Sequence, residues 1–288
     1  MNILITGCNG QLGNEIQLLE KQYPQHKFFN TDVEELDITN QLAVFDYIGR
    51  HEIDGIINCA AYTAVDKAES NQQLCTALNT EAPAYLAAAI DKREGWIIHI
   101  STDYIFNGTK HKPYVETDTP CPESVYGSTK LAGELGVSKF CKKALIIRTA
   151  WLYSAFGKNF VKTMLALMQS RERLNVVFDQ CATPTYAADL AAAIVHILSS
   201  RKYEGNTGIY HYSNEGVTSW YDFAKMIADI HGNISCNILP CHSSEFPSPV
   251  VRPSYSVLDK TKFKTTFGLD VPYWVDSLRR CMQVLAAS

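Results

Sequence analysis

The chain has 288 residues, 46% of them hydrophobic, and a formal charge of -4 with no basic block and no long acidic tail. A chain of this size buries a large core as one two-lobed unit or two domains, and its charge does not point to nucleic acid or a membrane surface as the main partner. Nine cysteines without a Cys-x-x-Cys and eight histidines without ligand spacing predict reduced thiols and no metal site. No apolar run reaches membrane-spanning length, and Met1 leads into Asn-Ile-Leu-Ile-Thr rather than a signal peptide, so a cytoplasmic location is expected.

In chain order, residues 2–6 read as a short buried strand. Gly7-Cys8-Asn9-Gly10-Gln11-Leu12-Gly13 and a helix-like run to Leu19 follow it. Strand, glycine turn and helix form a dinucleotide fingerprint: glycines let a pyrophosphate approach the backbone, and the new helix offers free N–H groups and its positive dipole end. The spacing G-x-x-G-x-x-G is one residue wider at the start than the usual form. A second strand, 26–31, ends at Asp32, close to where an acid holds the adenosine ribose; a plain turn residue is the alternative. No arginine directly follows Asp32, which favours NADH over NADPH without excluding either. Asp37 and Ile38 fall at the start of the next helical region, where they would flank the adenine.

Residues 53–59 read as a third strand leading into the small-residue loop Ala60-Ala61-Tyr62-Thr63, which would pass close to the cofactor. An alanine-rich helix is expected from 79 to 90. Strands at 96–100 and 144–148 continue the alternation that predicts a parallel, doubly wound α/β sheet of Rossmann type. Ligands of such sheets bind beyond the carboxyl ends of the strands, where Thr6, Ala61, Thr102 and Thr149 fall. We therefore expect a dinucleotide-binding domain at 1–150. Residues 151–288 should be mainly a smaller substrate-binding lobe, with segments returning to the first domain. In that half, helices are expected at 157–170, 187–198 and from Ser219-x-x-Asp222 to 230, with a rigid loop at 179–186 and a further loop at 240–253.

The strand at 96–100 ends in Ser101-Thr102-Asp103, and Tyr126 and Lys130 come next. Four residues apart on a helix, a phenol and an ammonium share a face. The cation is expected to pull the tyrosine down from about 10 toward working pH, where a proton donor is most effective. The same spacing recurs at Tyr23/Lys27 and Tyr221/Lys225, so context rather than spacing singles out Tyr126. His99 and His211 read as packed or surface residues rather than ligands.

Gly7-x-x-Gly10-x-x-Gly13, Ser101-Thr-Asp-Tyr-Ile-Phe-x-Gly108, Tyr126-Gly-x-x-Lys130-x-x-x-Glu134, Arg148-Thr-x-Trp151, the run from Asn58 to Glu69, and Arg252-Pro together resemble the extended short-chain dehydrogenase/reductase superfamily. Within it, the chain is most similar to the dTDP-4-dehydrorhamnose reductase family. The resemblance implies that NADPH or NADH reduces the C4 ketone of a dTDP-sugar, with Tyr126 as proton donor and Thr102 bonded to the carbonyl or the tyrosine. Lys130 would hold the nicotinamide ribose, and Asp103 and Trp151 would contact the sugar nucleotide. Gly10, Gln11, Leu12, Asp32, Asp37, Ile38, Ala61, Tyr62 and Thr63 would line the cofactor. Arg252 is either a phosphate partner or a structural arginine. Some bacterial relatives bridge subunits with magnesium held by acidic side chains; Glu15 is one candidate position for such a ligand, but Tyr186-Ala-Ala-Asp189 supplies no clear second carboxylate. No metal is assigned, and a homodimer stays open. Two alternatives remain: an epimerase or dehydratase of the same superfamily that retains its NAD, and a non-catalytic nucleotide-binding regulatory subunit.

Overall fold

The computed structural model describes residues 1–287. Five runs form the sheet that the pattern predicts: β1 (Asn2–Thr6), β2 (Lys27–Thr31), β3 (Gly55–Asn58), β4 (Trp96–Thr102) and β5 (Ala144–Thr149). A sixth strand, Gly208–His211, pairs with β5, and the spatial order is β2, β1, β3, β4, β5, Gly208–His211, parallel throughout. The sixth strand was not expected, because Gly-Ile-Tyr-His is too short and too polar to stand out.

Side chains alternate across the two faces of each strand. Ile3, Ile5, Ile57, Ile98, Leu145 and Ile147 face one core, with α1 (Gln11–Leu19) and the helix Ala187–Ser199 packed over them. Leu4, Ile56, Ile97 and Ile146 face the other, under α2 (Gln41–Arg50) and the helices Ala82–Asp91 and Val125–Phe140. Both faces are dry, so these strands read as continuous apolar runs. The chain moves outward from β1 to β2, then crosses back to β3. The strand order thus reverses at β1 and β3, and a crevice opens above their carboxyl ends.

A separate core gathers Tyr153, Val161, Met164, Leu174, Phe223, Ile238, Trp274 and Leu278. They come from the short strand Leu152–Tyr153, from helices Phe160–Ser170, Trp220–His231 and Trp274–Ala287, and from the parallel pair Arg173–Val177 and Asn237–Cys241. Asn159 caps the first helix and Ser219 the second, each accepting a backbone N–H. The segments Ala187–Ser199, Gly208–His211 and Thr261–Phe267 return to the central sheet.

Three local expectations are corrected. Pro240, expected in a loop, lies in the strand Asn237–Cys241 opposite Val176; a two-stranded ribbon leaves one edge open, where a missing N–H costs no ladder bond. Cys181–Ala182 and Thr185–Tyr186, within the expected loop 179–186, pair with Thr218–Ser219 and Leu152–Tyr153. The helix expected from 79 begins at Ala82, after a π-helical turn at Ala77–Glu81. There the backbone carbonyl of Asn79 sits so close to Gly133 that a Cβ would lie 2.0 Å from it. The extra residue per turn fits this contact between the two helices.

Candidate active site

The glycine turn is built by close backbone approach. Gly7 has φ +66°, and a Cβ there would sit 2.8 Å from the backbone of Ala60. A Cβ on Gly13 would lie 2.5 Å from the Gly7 carbonyl. Gly10 precedes α1, and no side chain caps that helix end. The N–H groups of its first turn are therefore left to meet an anion, as a dinucleotide phosphate requires. Leu12 is buried beneath the turn, while Gln11 reaches out, donating to the Leu152 carbonyl and accepting from Asn159.

Asp32 ends β2 as expected, and its carboxylate accepts the Asn9 N–H of the glycine turn at 3.2 Å. Asp37 is exposed and bonded to Thr39, whereas Ile38 is buried in the core beneath the sheet. α2 starts later than expected, at Gln41, capped by Asn40. On the far side of the turn, Thr6 donates to buried Asn58 at 2.7 Å, which also accepts the Ala60 N–H and contacts His99. The loop carrying Ala61, Tyr62 and Thr63 is held by Asn79, whose amide bonds both the N–H and the carbonyl of Tyr62.

Tyr126 and Lys130 lie on the helix Val125–Phe140, capped by Ser124. Of the other two tyrosine–lysine pairs, Tyr23/Lys27 is not helical at all. The Tyr126 side chain lies beside that of Thr102, at the end of β4. Lys130 is 1% exposed and donates to the Ile100 carbonyl at 2.7 Å. Burial pushes the tyrosine up rather than down; the Asp103 carboxylate adds to this, and the Lys130 ammonium does not offset it. Burial also lowers Lys130 to about 8. The expected depression of the phenol by its lysine is therefore not found, because burial outweighs the cation. The helix itself is fixed to β5 by a buried ion pair, Arg148 to Glu134 at 2.7 Å.

Asp103, expected against the sugar, is 2% exposed and engaged internally: Ser256 donates to it at 2.5 Å and Thr102 at 3.1 Å. Burial raises it to about 6. Tyr104 packs edge-on to Tyr126, and its hydroxyl accepts from Arg252, which also grips Asp66 at 2.6 Å. Arg252 and Asp66 line a cavity of about 1260 Å³, together with Trp220, Gln180, Arg171 and Arg173. Trp151, at φ +48°, stacks on Trp220 with ring centroids 3.4 Å apart.

The structure thus brings the glycine turn, Ala61–Thr63, Thr102, Tyr126 and Lys130 to one end of the sheet. Sequence reasoning missed Asn58, Asn79, Trp220 and Ser256; only the Asn58-to-Glu69 run carried a trace of the first. Glu15 is buried and bonded to Ser154, and Asp189 accepts from Asn214, Ser277 and Arg280. Among the described residues, no group of three or more acidic, histidine or cysteine side chains could hold a metal.

A parallel sheet with a glycine turn at its switch point, and a Thr/Tyr/Lys set at the same edge, defines a Rossmann-type protein of the short-chain dehydrogenase/reductase class. Residues 1–287 match the family described as RmlD substrate binding domain, and the chain belongs to that family. A dTDP-4-dehydrorhamnose reductase of Aggregatibacter actinomycetemcomitans is 38% identical, over 96% of this chain and 97% of its own. The crystal structure of such a reductase from Clostridium acetobutylicum superposes with a TM-score of 0.94 at 43% identity, over 99% of this chain and 100% of that one. The Bacillus anthracis reductase, solved in complex with NADP, gives 0.92 at 37%, over 98% and 99%.

Proposed function

We propose that this chain reduces the C4 ketone of dTDP-4-dehydro-L-rhamnose to give dTDP-L-rhamnose, using NADPH or NADH. The observation that carries this reading is that Tyr126, beside Thr102, and Lys130 lie on the sheet edge that also bears the glycine turn. The names of the full-length relatives support the substrate, and the NADP in the Bacillus anthracis structure supports the cofactor class. Asp32 with no following arginine favours NADH, so both reduced cofactors belong in the test.

Residues 1–150 would hold the dinucleotide. Gly7, Gly10, Gln11, Leu12 and Gly13 would meet the pyrophosphate, and Asp32 the ribose, with Asp37, Ile38 and Ala61–Thr63 around the adenine and nicotinamide halves. When bound, the reduced nicotinamide supplies a hydride. Lys130 would give up its bond to Ile100 to hold the adjacent ribose. Thr102 would orient the phenol, and Tyr126 would hand its proton to the carbonyl oxygen. A phenol kept high by burial rests in the protonated form that reduction needs. The cavity lined by Arg252 and Arg173 would take the nucleotide part of the substrate, with Trp220 at its wall and a guanidinium on the diphosphate.

The test is a panel of dTDP- and other nucleotide-4-ketosugars, each assayed with both reduced cofactors. Oxidation of NADPH or NADH in proportion to dehydrorhamnose is the expected result. Turnover on tightly held NAD without added reductant would replace this reading with an epimerase or dehydratase, and no turnover with any sugar would replace it with a non-catalytic subunit.

A further inference from the structure

We propose that Ser256 is a positioning residue for Tyr126, acting through Asp103 and Thr102; the proposal rests on the reductase reading above. Ser256 is 2% exposed and lies on a segment pinned along its length. The Ser254 carbonyl accepts from Cys181, the Ser256 N–H donates to the Cys181 carbonyl, and the Val257 carbonyl accepts from Tyr114, at 2.8, 2.9 and 2.8 Å. From this fixed strap the Ser256 hydroxyl donates to one Asp103 carboxylate oxygen, and Thr102 donates to the other.

A hydroxyl has one hydrogen and two lone pairs. The hydrogen of Thr102 goes to Asp103, and one of its lone pairs accepts the Tyr104 N–H at 3.2 Å. Toward the neighbouring Tyr126 it is then left only a lone pair, so a phenol that turns to it does so as a donor, the form a reductase needs before turnover. When Tyr126 passes its proton to the carbonyl oxygen, its O–H bond breaks and that of the product alcohol forms. The phenolate left behind is an acceptor, and the Thr102 hydrogen turns from Asp103 to it. Through that turn Ser256 keeps Asp103 hydrogen-bonded and in place.

The same bond sets how Asp103 titrates. Burial raises the carboxyl, and the Ser256 and Thr102 hydrogen bonds oppose the rise. The titratable groups facing it are Tyr104, on its own turn, and Tyr126, from the helix Val125–Phe140. Arg252, on the same segment as Ser256, is committed to Tyr104 and Asp66. Once protonated, Asp103 offers the Thr102 hydrogen a neutral and weaker acceptor, and the poise on Tyr126 is weakened.

The test compares full-length wild type with Ser256→Ala, Ser256→Cys and Ser256→Thr. kcat and KM for dTDP-4-dehydro-L-rhamnose are measured across pH, alongside ¹³C NMR titration of labelled aspartate carboxyls, with Asp103 assigned through Asp103→Asn. In Ser256→Ala the acid limb of kcat should move to higher pH by about half a unit or more. The Asp103 resonance should follow it, and KM should stay within about twofold, because no contact to substrate is removed. Ser256→Cys should shift the same way by less, and gives the answer if the alanine variant does not fold; Ser256→Thr should retain the wild-type profile. A lowered kcat with an unmoved acid limb and an unmoved Asp103 resonance would mark a merely structural role and overturn the proposal. If wild type reduces no 4-ketosugar, the reductase reading fails by itself, while the NMR titration still reports whether Ser256 sets Asp103.

Discussion

The two walls of the site are built on opposite plans. At the sheet edge almost every polar group is buried and already bonded within the protein: Thr6 to Asn58, Lys130 to Ile100, Thr102 and Ser256 to Asp103. Across the crevice, the second core presents an open cavity. Arg171 and Arg173 there are exposed and form no ion pair among the described residues. The first wall is preorganised and sensitive to any lost partner. The second has unspent charge and room, which suits capture of a large anionic ligand more than chemistry.

If that contrast is right, damage at the first wall should fall on kcat or on stability, and damage at the second on KM. The largest loss is expected for Tyr126→Phe: kcat should fall by roughly 10²-fold or more, with cofactor affinity by fluorescence titration unchanged. Retained turnover would remove Tyr126 from the proton step. Glu134→Ala should be nearly as costly, but in stability. Both partners of the Arg148 pair are only 2% exposed, and a guanidinium left buried without its carboxylate loses roughly 3–5 kcal/mol. Chemical denaturation checks this, and a loss below about 1 kcal/mol would mean that the pair behaves like a surface one.

Lys130 sharpens the comparison through pH. Its pKa in the folded protein is about 8, against about 10.4 when unfolded. Below the folded value the lysine is charged in both states and its burial cost is borne in full. Between the two values the unfolded chain binds the extra proton, so stability rises with pH. Wild type should therefore gain on Lys130→Met by roughly 3 kcal/mol as pH rises from about 8 to about 10. A pH-independent difference would show that the ammonium is not desolvated. The smallest effect is expected from Arg173→Ala at the open wall: KM for the sugar nucleotide higher by about tenfold at unchanged kcat, worth about 1.4 kcal/mol. A drop in kcat instead would break the division of labour between the walls.

The sheet was legible because its signals are local. Residues 2–6, 53–59, 96–100 and 144–148 are apolar runs between helices, and all four became adjacent buried strands. The strand Gly208–His211 escaped because the neighbouring β5, not its own composition, makes it a strand. The phenol's shift was misjudged for a related reason. Helical spacing shows that Tyr126 and Lys130 share a face, but not that both are sealed from water or that Ile100 takes the ammonium.

Order along the chain was enough for the α/β architecture, the glycine turn and the shared helix face of Tyr126 and Lys130, since each depends on residue type and on spacing over a few turns. It could not yield Ser256 against Asp103, 153 residues apart, nor Trp151 stacked on Trp220, nor Arg252 across Tyr104 and Asp66. Those contacts exist because the C-terminal segment folds back over the end of β4. Which distant side chain meets a buried hydroxyl or carboxylate is decided by how packed elements exclude water, and no local pattern encodes that.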